Sequence, residues 1–355
     1  MDTIACVRLQ SHQLDTPSFH TPKELVRWMG AVQAQEYNMA KWALGIRLPS
    51  ATLADVEKAL HEGEILRTHV MRPTWHFVAA EDIRWMLRLT GERIKAANEQ
   101  YAKSINLEIE AKDFNRFYDL SLKVLEGGQS LTRDELGEAL TRAGMPLDTN
   151  RLRRCIMNAE ADGILCSGRD KGTKQTYALL EERAPAAPEI HRDEALTLLA
   201  SRYFKSHSPA GLNDFVWWSG LTVGDARKAI DFINAQLIKE KTATQEVYVH
   251  ETYRDPSPAG PSLHLLPSYD EYLISYKERT TVLAPEHHAK AFNGWGIFYP
   301  VVAYKGRIAG NWKKPAKKGG DPTITWFDPN PKISNRLIQA ARQKYRVFHA
   351  GGHTK

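Results

Sequence analysis

Ser130-Leu131-Thr132-Arg133-Asp134-Glu135-Leu136 opens a helix that Gly144 and Pro146 close, and Asp148 or Thr149 then caps a second helix running to about Gly163. On this second helix Leu152, Ile156 and Ala159 share one face, while Arg151, Arg154 and Asn158 are available to the other. Ile164-Leu165-Cys166 reads as a strand, Gly168 to Gly172 as a polar, basic turn, and Thr176 to Leu180 as the returning strand. Helix, turn, basic helix and hairpin in that order predict a winged helix-turn-helix unit. The alternative is a packing helix with solvated arginines.

The same order recurs on both sides. Upstream, Thr21-Pro22-Lys23-Glu24 is a capping box, with Leu25, Met29 and Val32 following on one helical face. Thr52 begins a short helix carrying Val56, Ala59 and Leu60, and Leu66 to Val78 reads as strand interrupted at Pro73. Downstream of the Ala184 to Pro188 linker, helices are expected over Glu194 to Phe204 and Leu212 to Ser219. Gly220-Leu221 then makes a turn, and Thr222 caps a helix carrying Ala226, Ala229, Ile230 and Ile233. Trp217 and Trp218 read as the seam of this unit rather than as a stacking platform. After Lys241 short β segments take over, at Glu246 to His250, Ser262 to Leu266, Ile297 to Val302, Arg307 to Ala309 and Thr323 to Phe327. A last helix runs from Ile333 to about Tyr345. The predicted fold class is α+β. Three tandem winged helix-turn-helix units (1–125 with a helical extension, 126–184 and 190–250) precede a small β-rich, barrel-like domain over 251–355 with a basic C-terminal helix.

Composition narrows the function. The 355 residues are 42% hydrophobic and 25% charged, ordinary for a globular protein. No apolar run approaches the roughly 18 residues of a membrane span, and no basic-then-apolar leader opens the chain, so a cytoplasmic location is expected. Cys6, Cys155 and Cys166 are widely spaced, which suits reduced, partly buried thiols rather than a disulfide framework or metal site. His287-His288 lacks acidic or cysteine partners, and no Gly-rich loop precedes Lys-Ser/Thr, so neither metal, cofactor nor nucleotide hydrolysis is expected. The net charge of +6 is uneven: residues 305–355 hold twelve Lys/Arg against Asp321 and Asp328, a segment charge of +10 that leaves −4 for the rest. Such a surface attracts phosphate backbones.

Four stretches together resemble the AlkZ-like winged-helix DNA glycosylases. They are Met29-Gly30-Ala31-Val32-Gln33-Ala34-Gln35, the run from Arg67 through His69 and Arg72 to His76, the Ala210 to Ala229 helix-turn-helix, and the run from Leu265 through Asp270 to Arg279. The resemblance implies three winged-helix units and a β-domain around a concave DNA channel. It also implies a Gln, apolar, Gln-or-Asp motif associated with removal of alkylated bases, here Gln33-Ala34-Gln35. One position departs from the family pattern: Pro73 stands where Gly usually follows the arginine-rich stretch.

Hydrolysis of an N-glycosidic bond delivers water to the anomeric carbon as positive charge develops on the sugar, work that suits a carboxylate. A glutamine amide is no useful base near neutral pH, yet it can hold a water in line. Positioning alone suffices when the leaving group is already good, as in a purine made cationic by alkylation at N7 or N3. Gln33 and Gln35 are therefore the candidate catalytic pair, on one condition. In a helix, residues two apart point about 200° apart, so the helix must end or distort near Val32. Without that, both read as surface polar residues. The expected DNA contacts are Arg67, His69, Arg72 and His76 on the strand, Arg151 and Arg154 on the basic helix, Arg169, Lys171 and Lys174 on the wing, and Lys313 and Lys314 in the basic C-terminal stretch. Asp270 and Glu271 are weaker candidates for a carboxylate, with an ion pair to Arg279 as the structural reading. The function expected is a monofunctional glycosylase acting as a monomer on damaged duplex DNA, possible cross-links included, with no membrane partner. The alternatives are a non-catalytic DNA-binding protein or transcriptional regulator, and a protein-interaction scaffold.

Overall fold

The computed structural model describes residues 3–107, 109–254, 260–317, 319–329 and 331–351. Helix and sheet are mixed, and the chain divides into two compact units, 1–57 with 196–355, and 58–195. No helix among the described residues is long and apolar enough to cross a membrane.

The first unit opens with α1 (Thr3–Ser11), α2 (Pro22–Met29), β1 (Val32–Gln33) and α3 (Tyr37–Gly45). The capping box of α2 forms as read: the Glu24 N–H donates to Thr21 Oγ1 at 3.3 Å, and the Thr21 N–H to Glu24 Oε2 at 3.0 Å. The helix stops at Gly30, whose φ of 77° disfavours any side chain. A Cβ there would also meet the Trp218 ring at 3.3 Å. Val32, placed by its spacing on the apolar face of α2, therefore begins an extended segment instead. α4 (Leu53–Glu62) carries the chain onward.

In the second unit β2 (Ile65–His69) and β3 (Trp75–Ala79) make an antiparallel hairpin that pairs His69 with Trp75, with Pro73 exposed in its loop. α5 (Ile83–Ser104) and α6 (Ala111–Leu125) follow as the helical extension. Then come β4 (Leu131–Thr132), α7 (Arg133–Arg142), α8 (Thr149–Ala161), β5 (Leu165–Ser167), β6 (Thr176–Leu179) and α9 (Leu180–Arg183), with strand order β4-β6-β5. Thr132 and Glu135 close a capping box on α7, and Asp148 Oδ1 accepts the Asn150 and Arg151 N–H groups on α8. Phe117, Leu136, Leu140, Leu152, Ile156 and Leu165 form the core, each buried side chain contributing about 1.5–3 kcal/mol.

The second face of α8 is a correction. Arg154 Nη1 donates to Asn98 Oδ1 at 2.7 Å and its guanidinium lies 4.3 Å from the Tyr101 ring centre, while Asn158 Oδ1 accepts from Asn98 Nδ2. The face read as open to a partner is packed on α5. Polar side chains that satisfy one another can form a helix–helix contact, and hydrophobic periodicity does not register it.

α10 (Arg192–Ser206) returns the chain to the first unit. α11 (Leu212–Ser219) and α12 (Val223–Phe232) are joined as expected, by left-handed Gly220 and the Thr222 cap. β7 (Leu237–Lys241) pairs with β8 (Glu246–His250); β7 escaped the sequence reading because Leu-Ile-Lys-Glu-Lys is half exposed and does not alternate. Next come β9 (Leu263–Leu266), α13 (Glu271–Ile274), α14 (His288–Ala291), β10 (Val301–Tyr304), β11 (Arg307–Lys313) and β12 (Thr323–Trp326), in an antiparallel sheet ordered β12-β11-β10-β9. Residues 297–300, expected within a strand, belong to a tight loop before β10. α15 (Asn335–Ala350) runs past Tyr345, so that Phe348 packs on Gly45, where a Cβ would fall 2.3 Å from its ring.

Candidate active site

The break at Gly30 decides the geometry of the glutamine motif. Gln33 lies in extended backbone and Gln35 in the bend before α3, so the helical separation of about 200° does not apply. Gln33 is 4% exposed, Ala34 is buried, and Gln35 faces solvent. The motif thus runs from interior to surface within three residues.

Its inner end is held by a group far away in sequence. The Gln33 N–H donates to Glu271 Oε1 at 2.6 Å. The other oxygen, Oε2, accepts from Trp218 Nε1 at 3.2 Å and from the Ser275 hydroxyl, with His207 Nε2 3.6 Å away. Glu271 stands in the first turn of α13, whose cap is Asp270, the acceptor of the Tyr272 N–H at 2.9 Å. Asp270 takes both arms of Arg47, at 2.8 and 2.7 Å, rather than Arg279 as the sequence suggested. Arg47 also donates to His12 O at 3.0 Å and to Ala43 O at 2.9 Å, in the last turn of α3. Consecutive acids therefore hold both flanks of the motif: Glu271 the strand before it and, through Arg47, Asp270 the helix after it. Neither carboxylate is exposed to act on a substrate. Both are positioning groups.

Two buried histidines adjoin this network. His12 Nε2 lies 2.8 Å from Tyr276 Oη, which donates to His207 O, and the two imidazoles are 4.8 Å apart. Burial drives the His12 pKa well below the ordinary value, with His207, Arg47 and Arg8 pushing the same way. Burial also lowers His207, against the pull of Glu271. Both are neutral in the fold, whereas an unfolded imidazole gains a proton below about pH 6.5. The unfolded state then binds more protons, so stability is fully present above that pH and falls below it. Each histidine is expected to cost up to about 1.4 kcal/mol per pH unit. Urea midpoints at pH 7.5 and 5.5 check this, and equal midpoints would contradict it.

The family model described as DNA glycosylase AlkZ-like matches residues 26–343. The chain belongs to the AlkZ-like DNA glycosylase family. An interstrand DNA cross-link repair glycosylase of Streptomyces sahachiroi is 23% identical over 322 residues, covering 86% of this chain and 85% of that protein. The solved structure of the Streptomyces sahachiroi DNA glycosylase AlkZ superposes with a TM-score of 0.77 at 21% identity, over 98% of this chain and 95% of that one. The AlkZ-like family expected from the four sequence stretches is thus borne out, and the fold likeness spans nearly the whole chain.

The expected DNA contacts of this AlkZ-like chain fall into two groups. Arg67, His69 and His76 are buried, a correction to their reading as surface contacts. Arg67 lies over the Trp75 ring at 4.2 Å and donates to Gln175 Oε1 at 2.5 Å; His69 Nδ1 pairs with Glu160 Oε2 at 2.5 Å; His76 Nδ1 lies 2.9 Å from Thr74 O. The strand carrying the first two is buried at all five positions, so alternation does not apply to it. Arg154 is occupied as described, and Arg72 is half-buried in the hairpin loop. The accessible cations are Arg169, Lys171 and Lys174 between β5 and β6, Lys313 and Lys314 after β11, and, half-exposed beside Asp148, Arg151. Lys171 is bonded to Glu135 at 2.7 Å. Lys314 lines a cavity of about 440 Å³ with Glu36, Asn38, Met39 and Pro300, directly beyond Gln35. Sequence spacing could not have joined these residues. Among the described residues no group of three or more His, Cys, Asp or Glu could hold a metal ion.

Proposed function

We propose that this chain hydrolyses the N-glycosidic bond of purines made cationic by N7 or N3 alkylation, as a monomeric, monofunctional DNA glycosylase, and that interstrand cross-links are among its substrates. Gln33 and Gln35 hold the attacking water. Its oxygen bonds to the anomeric carbon as the carbon–nitrogen bond breaks, the bonding pair neutralises the cationic base, and the spare proton leaves to solvent. No general acid is needed, because the base departs neutral.

The observation that carries this reading is the extended, Glu271-anchored backbone of the glutamine motif. A fixed amide contributes by orientation alone, and orientation can supply a large part of a barrier. The family membership and the relative named for cross-link repair support the substrate class. Unit order supports the DNA scaffold: α6, β4, α7, α8, β5 and β6, with β4 beside β6, follow a winged helix whose wing carries Arg169, Lys171 and Lys174. We read α10 to α12 with the β7–β8 hairpin as another winged helix, and the four-stranded sheet as the barrel-like domain.

Single-turnover incubation with duplex containing N7-methylguanine tests the reading. Release of free base, leaving the strand intact until heated in alkali, is the expected result. DNA binding without release from either this substrate or a nitrogen-mustard cross-link would make the protein a reader of DNA instead.

A further inference from the structure

The loop between α14 and β10 projects an aromatic side chain that no part of the site uses. Trp295 is 92% exposed, and Ile297 and Tyr299 are 43% and 37% exposed. Their alternate spacing puts all three on one side of the chain where it is extended. An indole so exposed is costly to leave in water, and single aromatic residues of this kind mark contact sites.

The loop is built to hold its shape. Asn293 Oδ1 accepts the N–H groups of Trp295 and Ile297 at 3.0 and 3.1 Å, and the Asn293 N–H donates to Ile297 O at 3.0 Å. Gly296 turns the tip with φ 76°. At the neck Phe292 and Phe298 stack with centroids 5.1 Å apart, and the Arg279 guanidinium lies 5.0 Å from each ring. The Tyr299 N–H donates to Ala291 O at 2.9 Å. The tip is thus presented at low entropic cost on binding.

Charge and position select the partner. Residues 277–314 carry seven Lys/Arg (Lys277, Arg279, Lys290, Lys305, Arg307, Lys313, Lys314) against Glu278 and Glu286. The loop ends at Pro300, which lines the same cavity as Glu36, Asn38 and Lys314 beside the glutamine motif. A polyanion with an exposed π-face suits that combination. A glycosylase acting within a duplex must disturb the stack around its target, and apolar wedges are the common means of holding a disturbed step open.

We propose that Trp295 is a stacking wedge, occupying the gap that a displaced or missing base leaves in duplex DNA. The assignment rests on the glycosylase reading above. Its test measures the affinity of wild type, Trp295→Ala and Trp295→Phe for a labelled duplex with a central tetrahydrofuran abasic analogue and for its undamaged counterpart. Loss of one base stack lowers affinity roughly 5- to 100-fold. That loss is expected for Trp295→Ala on the abasic duplex alone, with most of it restored in Trp295→Phe. Unchanged affinity for the abasic duplex, as when the tryptophan serves a protein partner, overturns the proposal. So does an equal loss on both duplexes. Excision of N7-methylguanine by the same wild-type preparation separates the two claims: excision present with Trp295→Ala binding unaltered removes the wedge alone, and excision absent removes the reading beneath it.

Discussion

Gln33→Ala and Gln35→Ala are each expected to slow single-turnover release of N7-methylguanine by at least about 100-fold, with DNA affinity close to wild type. The size follows from what the amides do. A misplacement near 1 Å costs about 100-fold, and loss of one preorganised hydrogen-bonding group in an active site costs about 10²–10³. The two substitutions also separate chemistry from architecture. Gln33 is anchored to Glu271 by its backbone N–H, and alanine retains that donor. Gln35 is exposed, where truncation disturbs little packing. Wild-type rates in both variants would exclude the glutamine pair and direct attention to other groups around the cavity beyond Gln35. Loss in Gln33→Ala alone would make Gln35 a bystander.

What the sequence disclosed about this site was local. The caps at Thr21, Thr132, Asp148 and Thr222 are contacts between residues two or three apart, and each formed where it was read. Gly30 is visible in the sequence, although only its left-handed backbone explains why the motif leaves the helix before Val32. The long-range partners were not legible. Glu271 reaches Gln33 across 238 residues and Arg47 reaches Asp270 across 223, and no pattern within a helix or strand encodes such a pairing. The same limit misplaced Arg67, His69 and Arg154. A basic residue in a strand or on a polar helix face looks solvent-facing until its neighbour is known, and here the neighbours are Trp75, Glu160 and Asn98. The exposed wing and β11 lysines kept their expected places because nothing covers a cation in a loop as readily.

Asp270→Ala is expected to be the most destabilising single change near the site, costing about 3–5 kcal/mol. The side chains of Arg47 and Asp270 are 1% and 2% exposed, so the substitution leaves a guanidinium buried without its counter-charge, holding only the His12 and Ala43 carbonyls. It also removes the cap of α13, worth about 1 kcal/mol more. Against a typical total of about 5–15 kcal/mol, that loss brings the protein near its unfolding threshold. Asp270→Asn retains an acceptor for the Tyr272 N–H and should fall between wild type and alanine. The double variant Arg47→Met with Asp270→Leu discriminates further. Removing both charges abolishes the orphaned cation, so it should be more stable than Asp270→Ala despite carrying one more substitution. Urea unfolding of the four proteins orders them directly. A cost below about 1 kcal/mol for Asp270→Ala would mean that water reaches Arg47, which the burial argues against. If the double variant recovers stability but not excision, the ion pair acts by fixing α3 and α13 on either side of the glutamines, because the two replacements fill the volume without reproducing the forked contact.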